Sequence, residues 1–292
     1  GVVFNFVASV AHYAYLQQAC ADAGVEALGY IPKDESIVIP SRHLGLSIDE
    51  TFCFDAFADR VAEVIDKTVN VDRLLELCTV QFSGEQTEED VCSGNRKIAI
   101  ARDEAFNFMY RENVEALKRA GEVVFFSPLR DKSLPEADMV YFPGGYPELH
   151  LAELATNEGM RQSVRKYCET GGRVLAECGG MMYLCDTITG DDGKVYPMVG
   201  VLKQGATMEQ MKLKLGYREV RVNGQRIRGH EFHYSRILPT NEKIPVIGTI
   251  YNAKDMVVDT PVYTYKNVLA SYIHFYWGEC GMDHFLMLMS QK

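Results

Sequence analysis

Gly172-Arg173-Val174-Leu175-Ala176-Glu177-Cys178-Gly179-Gly180-Met181-Met182-Tyr183-Leu184 reads as strand, sharp turn and helix. Val174, Leu175 and Ala176 form a short apolar run, two glycines follow the cysteine, and an apolar segment resumes at once. A cysteine on such a turn starts the next helix, where unpaired backbone N–H groups and the positive end of the dipole favour thiolate over thiol. Gly179 and Gly180 leave room for a substrate carbonyl, and the N–H after the nucleophile can stabilise an oxyanion, as in a nucleophile elbow. Read alone, the stretch fits a buried cysteine at a tight turn equally well.

Two distant segments favour the nucleophile. Val268 to Tyr276 reads as a buried strand carrying His274, a base that the fold would bring to a cysteine. Met139 to Phe142 is a strand running through Pro143 into Gly144-Gly145, whose N–H groups could supply the other half of an oxyanion hole. Cysteine, histidine and glycine loop together make a glutaminase-like constellation.

These segments, with Ala105-Phe106-Asn107-Phe108 and Arg228-Gly229-His230-Glu231-Phe232-His233-Tyr234-Ser235, resemble the cobyrinate a,c-diamide synthase family, class I glutamine amidotransferases of the cobyric-acid-synthase type. The resemblance covers essentially the whole chain, with five segments in the family's order. It implies an α/β fold: a flavodoxin-like amidotransferase domain with a mostly parallel sheet and helices on both faces, preceded by the tail of a P-loop, dethiobiotin-synthetase-like α/β domain. It further implies Cys178 and His274 as catalytic residues, with Gly144, Gly145 and Gly179 around the oxyanion and glutamine. The acid usual in class I enzymes two positions after the histidine is replaced here by Tyr276, so a Cys-His pair without a third member is expected.

The 292 residues suit about two domains, and a 47% hydrophobic fraction permits ample core. A net charge of −10 argues against a nucleic-acid-binding surface, which would carry a basic patch. Eight cysteines contain no C-x-x-C pair, so neither a zinc site nor a thioredoxin motif is expected, and no metal ligands are assigned. Most should be reduced and buried in a cytoplasmic protein. No apolar run approaches a membrane span and no basic leader opens the chain, so neither membrane nor secretion is expected.

Along the chain, Val2–Val7, a helix over 10–23 stopped by Gly24, and Val25–Ile31 form a strand-helix-strand unit. The resemblance assigns residues 1–80 to the end of an ATP-binding domain, with Asn5 and the loop at Pro32 near adenine; both would serve equally well as strand caps. No G-x-x-x-x-G-K-[ST] phosphate loop occurs anywhere, so the chain is expected to be the C-terminal part of a longer enzyme using ATP and Mg2+. Strand 1–7 would then expose apolar side chains or cover them with a partner, a second copy included. Arg42 and His43 could face substrate or the domain interface.

Helices are expected over Phe52–Val69 and Val71–Cys78, a polar linker over 81–96, and the amidotransferase domain over 97–292. Beyond residue 190 β-rich segments take over, with Asn223-Gly224 the strongest hairpin signal. His230 and His233, three apart on a strand, should point to opposite faces and not share a metal. A last helix is expected over Gly281–Met289.

The implied chemistry is attack of the Cys178 thiolate on the amide of glutamine, with His274 as base. Ammonia then passes to carboxylates a and c of a corrinoid. Cobyrinate or hydrogenobyrinate is the expected acceptor, and nickel sirohydrochlorin is the alternative. Two rivals stay open: a noncatalytic amidotransferase-like module, and a cysteine hydrolase on a related elbow, which would not need residues 1–80.

Overall fold

A computed structural model describes residues 1–39, 41–42, 45–46, 52–81, 95–240 and 242–277, the two short pairs by backbone alone. The chain divides into two compact units, Gly1–Thr87 and Glu88–Lys292. Most of the expected linker, His43 and the expected last helix lie outside the described residues.

In the first unit β1 (Val2–Val7) and β2 (Ala27–Pro32) pair in parallel across α1 (Val10–Asp22), the strand-helix-strand order read from the sequence. The Ser9 side chain accepts the His12 N–H to start α1, and Gly24 follows its end with φ +68, a conformation that favours glycine. β3 (Ser41–Arg42) and β4 (Gly45–Leu46) form a short antiparallel ribbon, and α2 (Phe54–Thr68) and α3 (Val71–Cys78) complete the unit. Val7, Cys20 and Leu28 are buried, whereas Phe6 is 65% exposed and neither α2 nor α3 buries a residue.

The second unit begins with β5 (Arg96–Ala101), α4 (Arg111–Ala120), β6 (Gly121–Phe126), β7 (Met139–Phe142), α5 (Leu151–Thr156), α6 (Glu158–Glu169), β8 (Arg173–Glu177) and α7 (Gly179–Leu184). Then come β9 (Cys185–Thr189), β10 (Val195–Pro197), β11 (Leu202–Thr207), β12 (Lys214–Val222), β13 (Gln225–His233), β14 (Arg236–Ile237), β15 (Thr249–Asn252), β16 (Val262–Tyr265), β17 (Val268–Ser271) and β18 (Ile273–Tyr276). The central sheet runs β16-β17-β8-β7-β5-β6 and is parallel except for β16. A second, antiparallel sheet runs β15-β12-β13-β18, its β12–β13 hairpin turning at Asn223-Gly224 as expected. Both turn residues have positive φ, the left-handed pair such two-residue turns require.

One element departs from expectation. The single strand read over 268–276 is two: β17 ends in the central sheet and β18 joins β13 in the other. The switch is local chemistry, because the Ser271 hydroxyl accepts the Ile273 amide and also donates to the Pro261 carbonyl, giving the backbone a partner outside either ladder. One core joins the two sheets: Ile98, Ile100, Tyr141 and Leu175 on one side, and Ile227, Ile273 and Phe275 on the other. Asn113 of α4 clamps the end of β18, its amide donating to the Phe275 carbonyl (2.7 Å) and its oxygen accepting the Trp277 amide (2.9 Å).

Candidate active site

Open parallel sheets present ligand-facing loops at the C-terminal ends of their strands. Here that edge gathers the Asp103 loop after β5, Gly144-Gly145 after β7, Cys178 after β8 and the crossing to His274 after β17. The Asp103 carboxylate organises the first of these by accepting the amides of Ala105 and Phe106 and, on its other oxygen, the Ser127 hydroxyl and the Leu129 amide.

Cys178 sits between β8 and α7 with φ 46 and ψ −106, a backbone conformation that costs an L-residue about 1–3 kcal/mol. Its amide donates to the Ser271 carbonyl (2.7 Å), which ties the elbow to the end of β17. The glycines are needed for close approach. A Cβ on Gly180 would lie 2.3 Å from the Phe142 carbonyl oxygen, one on Gly179 would meet Pro147, and one on Gly145 would lie 2.2 Å from the Ala105 oxygen. A Cβ on Gly144 would lie 2.2 Å from Cε1 of His274, so the glycine loop packs directly on the imidazole. The structure thus brings together the elbow, Gly144, Gly145, Gly179 and His274.

His274 is 4% exposed, stacked on His230 (4.8 Å, 15°) and edge-on to Phe108 (4.6 Å). Burial, then His230 and His233, hold its pKa down to about 3, so the ring is neutral and able to accept a proton. Its Nδ1 is buried without a hydrogen-bond partner among the described residues, and Glu177 Oε2 stands 4.0 Å away.

Burial works against the helix N-terminus at the thiol. Cys178 is 7% exposed, and burial, with Glu148, Glu177 and Glu231 adding repulsion, pushes its pKa well up; only the Gly179 amide pulls against this. Burial thus opposes the thiolate at the start of α7, a helix of six buried residues.

Sequence reasoning missed Glu177. It is buried at the end of β8, its Oε2 accepts the Tyr141 hydroxyl (2.8 Å), its Oε1 accepts the Phe275 amide (3.2 Å), and burial raises its pKa to about 8. The signal was present as an acid inside an apolar strand immediately before the cysteine. Tyr276, where the acid was sought, instead packs edge-on against Tyr110 (5.5 Å).

His230 and His233 face opposite ways, as the strand period requires. His230 shares a hydrogen bond with the Tyr110 hydroxyl (2.6 Å), while His233 stacks on Tyr272 (3.6 Å) beside a cavity of about 580 Å³. Asn5, assigned to adenine, is exposed in β1, and its Oδ1 already accepts the Phe6 amide. Arg42 is described by backbone alone.

Residues 97–281 match the family described as CobB/CobQ-like glutamine amidotransferase domain. The chain is 33% identical over 294 residues to the cobyrinate a,c-diamide synthase of Salmonella typhimurium, covering 96% of this chain and 64% of the relative. It is 36% identical to that of Caldanaerobacter subterraneus (98% and 66%) and 36% identical to the hydrogenobyrinate a,c-diamide synthase of Pseudomonas aeruginosa (94% and 62%). The chain therefore spans a little under two thirds of the length of these relatives. With the elbow, the glycine loop and the histidine on one sheet edge, and this match over 97–281, the chain belongs to the CobB/CobQ-like glutamine amidotransferase family.

Proposed function

We propose that Cys178 hydrolyses glutamine with His274 as its base, and that the ammonia serves ATP-dependent amidation of carboxylates a and c of a corrinoid in cobalamin biosynthesis. The observation that carries this reading is the packing of the Gly144 backbone on the His274 ring at the same sheet edge as the strained Cys178 elbow.

In the proposed reaction the thiol proton passes to His274 as sulfur attacks the side-chain amide carbon. The N–H groups of Gly179 and the Gly144-Gly145 loop receive the developing oxyanion, each such donor being worth roughly 3–4 kcal/mol in acyl transfer. The C–N bond then breaks, His274 returns the proton to departing ammonia, and water hydrolyses the thioester to glutamate. Glutamine and a corrinoid are the partners this requires, in the cytoplasm where such biosynthesis would run. No helix among the described residues is long and apolar enough to cross a membrane.

The relatives, which include cobyrinate and hydrogenobyrinate enzymes, support an acceptor of the cobyrinate class. ATP and Mg2+ enter through the family alone. The Asn5 oxygen is taken by a neighbouring amide, and no cation-ligating cluster is present among the described residues. No activation step is therefore routed through residues 1–80.

The test is glutamate release from glutamine by the 292-residue chain. Cys178→Ala should abolish it while leaving the fold intact, and in the complete, longer enzyme free ammonia should bypass the loss in an amidation assay. Undiminished release by a folded Cys178→Ala protein would end the reading.

A further inference from the structure

We infer that Glu177 is the positioning residue of His274, holding its ring through Nδ1 and balancing the charge the ring acquires when the thiol proton arrives; this rests on the glutaminase reading above. The geometry has three parts. First, Nδ1 is a buried nitrogen without a partner among the described residues, and Glu177 Oε2 lies 4.0 Å from it, a gap that a modest side-chain rotation closes. Second, the carboxyl is held in place from two elements: the Tyr141 hydroxyl of β7 donates to Oε2, and the amide of Phe275, the residue after His274, donates to Oε1. Third, the ring's remaining neighbours among the described residues offer it no counter-charge. Phe108 meets it edge-on, His230 stacks on it, and Gly144 packs against Cε1.

Other ionisable groups bear on the pair. His230 and His233 both disfavour a cation on His274. Tyr141 and Tyr110 feel the Glu177 charge, and so does Cys178, which Glu148 and Glu231 also repel. In this setting proton transfer needs a nearby anion. The Cys178 S–H bond breaks, its proton goes to Nε2 of His274, and sulfur bonds to the amide carbon as the carbonyl π pair moves to oxygen; in alkylation sulfur instead displaces iodide from the methylene carbon of iodoacetamide. Glu177 stays a carboxylate throughout and takes no proton.

The site is competent only when Glu177 is ionised, and burial places that ionisation at about 8. The rate should therefore rise with pH through a step in that region. The experiment follows iodoacetamide alkylation of Cys178, read by mass spectrometry of its peptide, and glutamate release, both across neutral to alkaline pH. Glu177→Gln keeps the shape and an acceptor for the Phe275 amide. It should abolish the step and lower kcat about tenfold to a hundredfold, with KM little changed, since positioning sets how well a general base works.

Tyr141→Phe removes a hydrogen bond that favours the carboxylate, so it should move the step to higher pH. A folded Glu177→Gln protein that keeps the wild-type step overturns the inference. So does one slowed equally at every pH, which would mark Glu177 as structural only, and so does an unmoved step in Tyr141→Phe. If the wild type releases no glutamate the glutaminase reading fails, and the alkylation profiles still decide whether Glu177 acts through His274.

Discussion

Among the described residues of the second unit, two buried glutamate–histidine pairs, Glu231–His233 and Glu177–His274, are built in opposite ways. Around His233 every polar atom is matched: Nε2 is 2.8 Å from Glu231 Oε1 and Nδ1 2.7 Å from the Ser235 carbonyl. The other Glu231 oxygen accepts from Arg218 (2.7 Å) and Thr260 (2.8 Å). Burial alone would raise the Glu231 pKa, but the bonds from His233 and Thr260, with the charge of Arg218, bring it down to about 2. Around His274, equally buried, one ring nitrogen has no partner among the described residues, its carboxyl stops 4.0 Å short, and the acid's pKa rises to about 8. A fully matched buried network rigidifies a fold; an under-matched one stores the driving force for a proton to move. On the function proposed above, the Glu231 pair would be scaffold and the Glu177 pair machinery.

The sharpest way to break the comparison is at His274. His274→Asn should lower glutaminase kcat by about 10²–10⁴, the usual contribution of a positioned base, and should slow alkylation of Cys178 at neutral pH. The same change should relieve acid sensitivity. A histidine whose pKa falls from the ordinary 6.5 to about 3 contributes stability that is present above 6.5 and lost as pH falls towards 3. Thermal melts at mildly acidic and neutral pH would show it. Unchanged alkylation, together with wild-type acid lability, would remove His274 from the machinery.

A smaller effect, of another kind, is expected at the matched pair. Glu231→Ala leaves Arg218 and His233 buried without their acceptor, and should cost about 3–5 kcal/mol of stability, measured by denaturant titration. The folded pKa of Glu231 lies below the ordinary 4.5, so its contribution is present above 4.5 and fades as pH falls towards 2. The variant's deficit should accordingly be largest at neutral pH and shrink in acid. Whatever activity survives should keep the wild-type pH step. If the step vanished with stability intact, Glu231 would belong to the machinery and the contrast would collapse.

Legibility in the sequence followed how local each signal is. The elbow, the mostly parallel sheet and the Asn223-Gly224 turn were readable because apolar runs, glycine pairs and turn residues act over a few positions. The split at Tyr272 was not, because both halves are apolar and only the Ser271 hydroxyl marks the change of sheet. Glu177 was hidden for a different reason. Its partner lies 97 positions away and is brought near by the β8–β17 pairing, a tertiary fact no spacing rule encodes. The thiolate expectation rested on a helix N-terminus, which is legible in sequence, whereas the burial that works against it is not.

The smallest expected effect tests whether Tyr276 has inherited any part of the missing acid's role. Its ring meets Tyr110 edge-on, Tyr110 shares a hydrogen bond with His230, and His230 stacks on His274. Tyr276 thus reaches His274 through two intervening rings. Tyr276→Phe keeps the ring and so the edge-on contact, which in such pairs is worth about 0.5–1.5 kcal/mol beyond burial. Its kcat should fall by less than about threefold and its pH step should stay in place, since a substitution outside a buried polar network usually moves energies by about 0.5 kcal/mol or less. Tyr276→Ala, which removes the ring, should cost somewhat more by loosening Tyr110 and the His230 stack. A tenfold loss in Tyr276→Phe, with the step displaced, would show the hydroxyl orienting His274 through the stack, and the role assigned to Glu177 would then be shared with the tyrosine on β18.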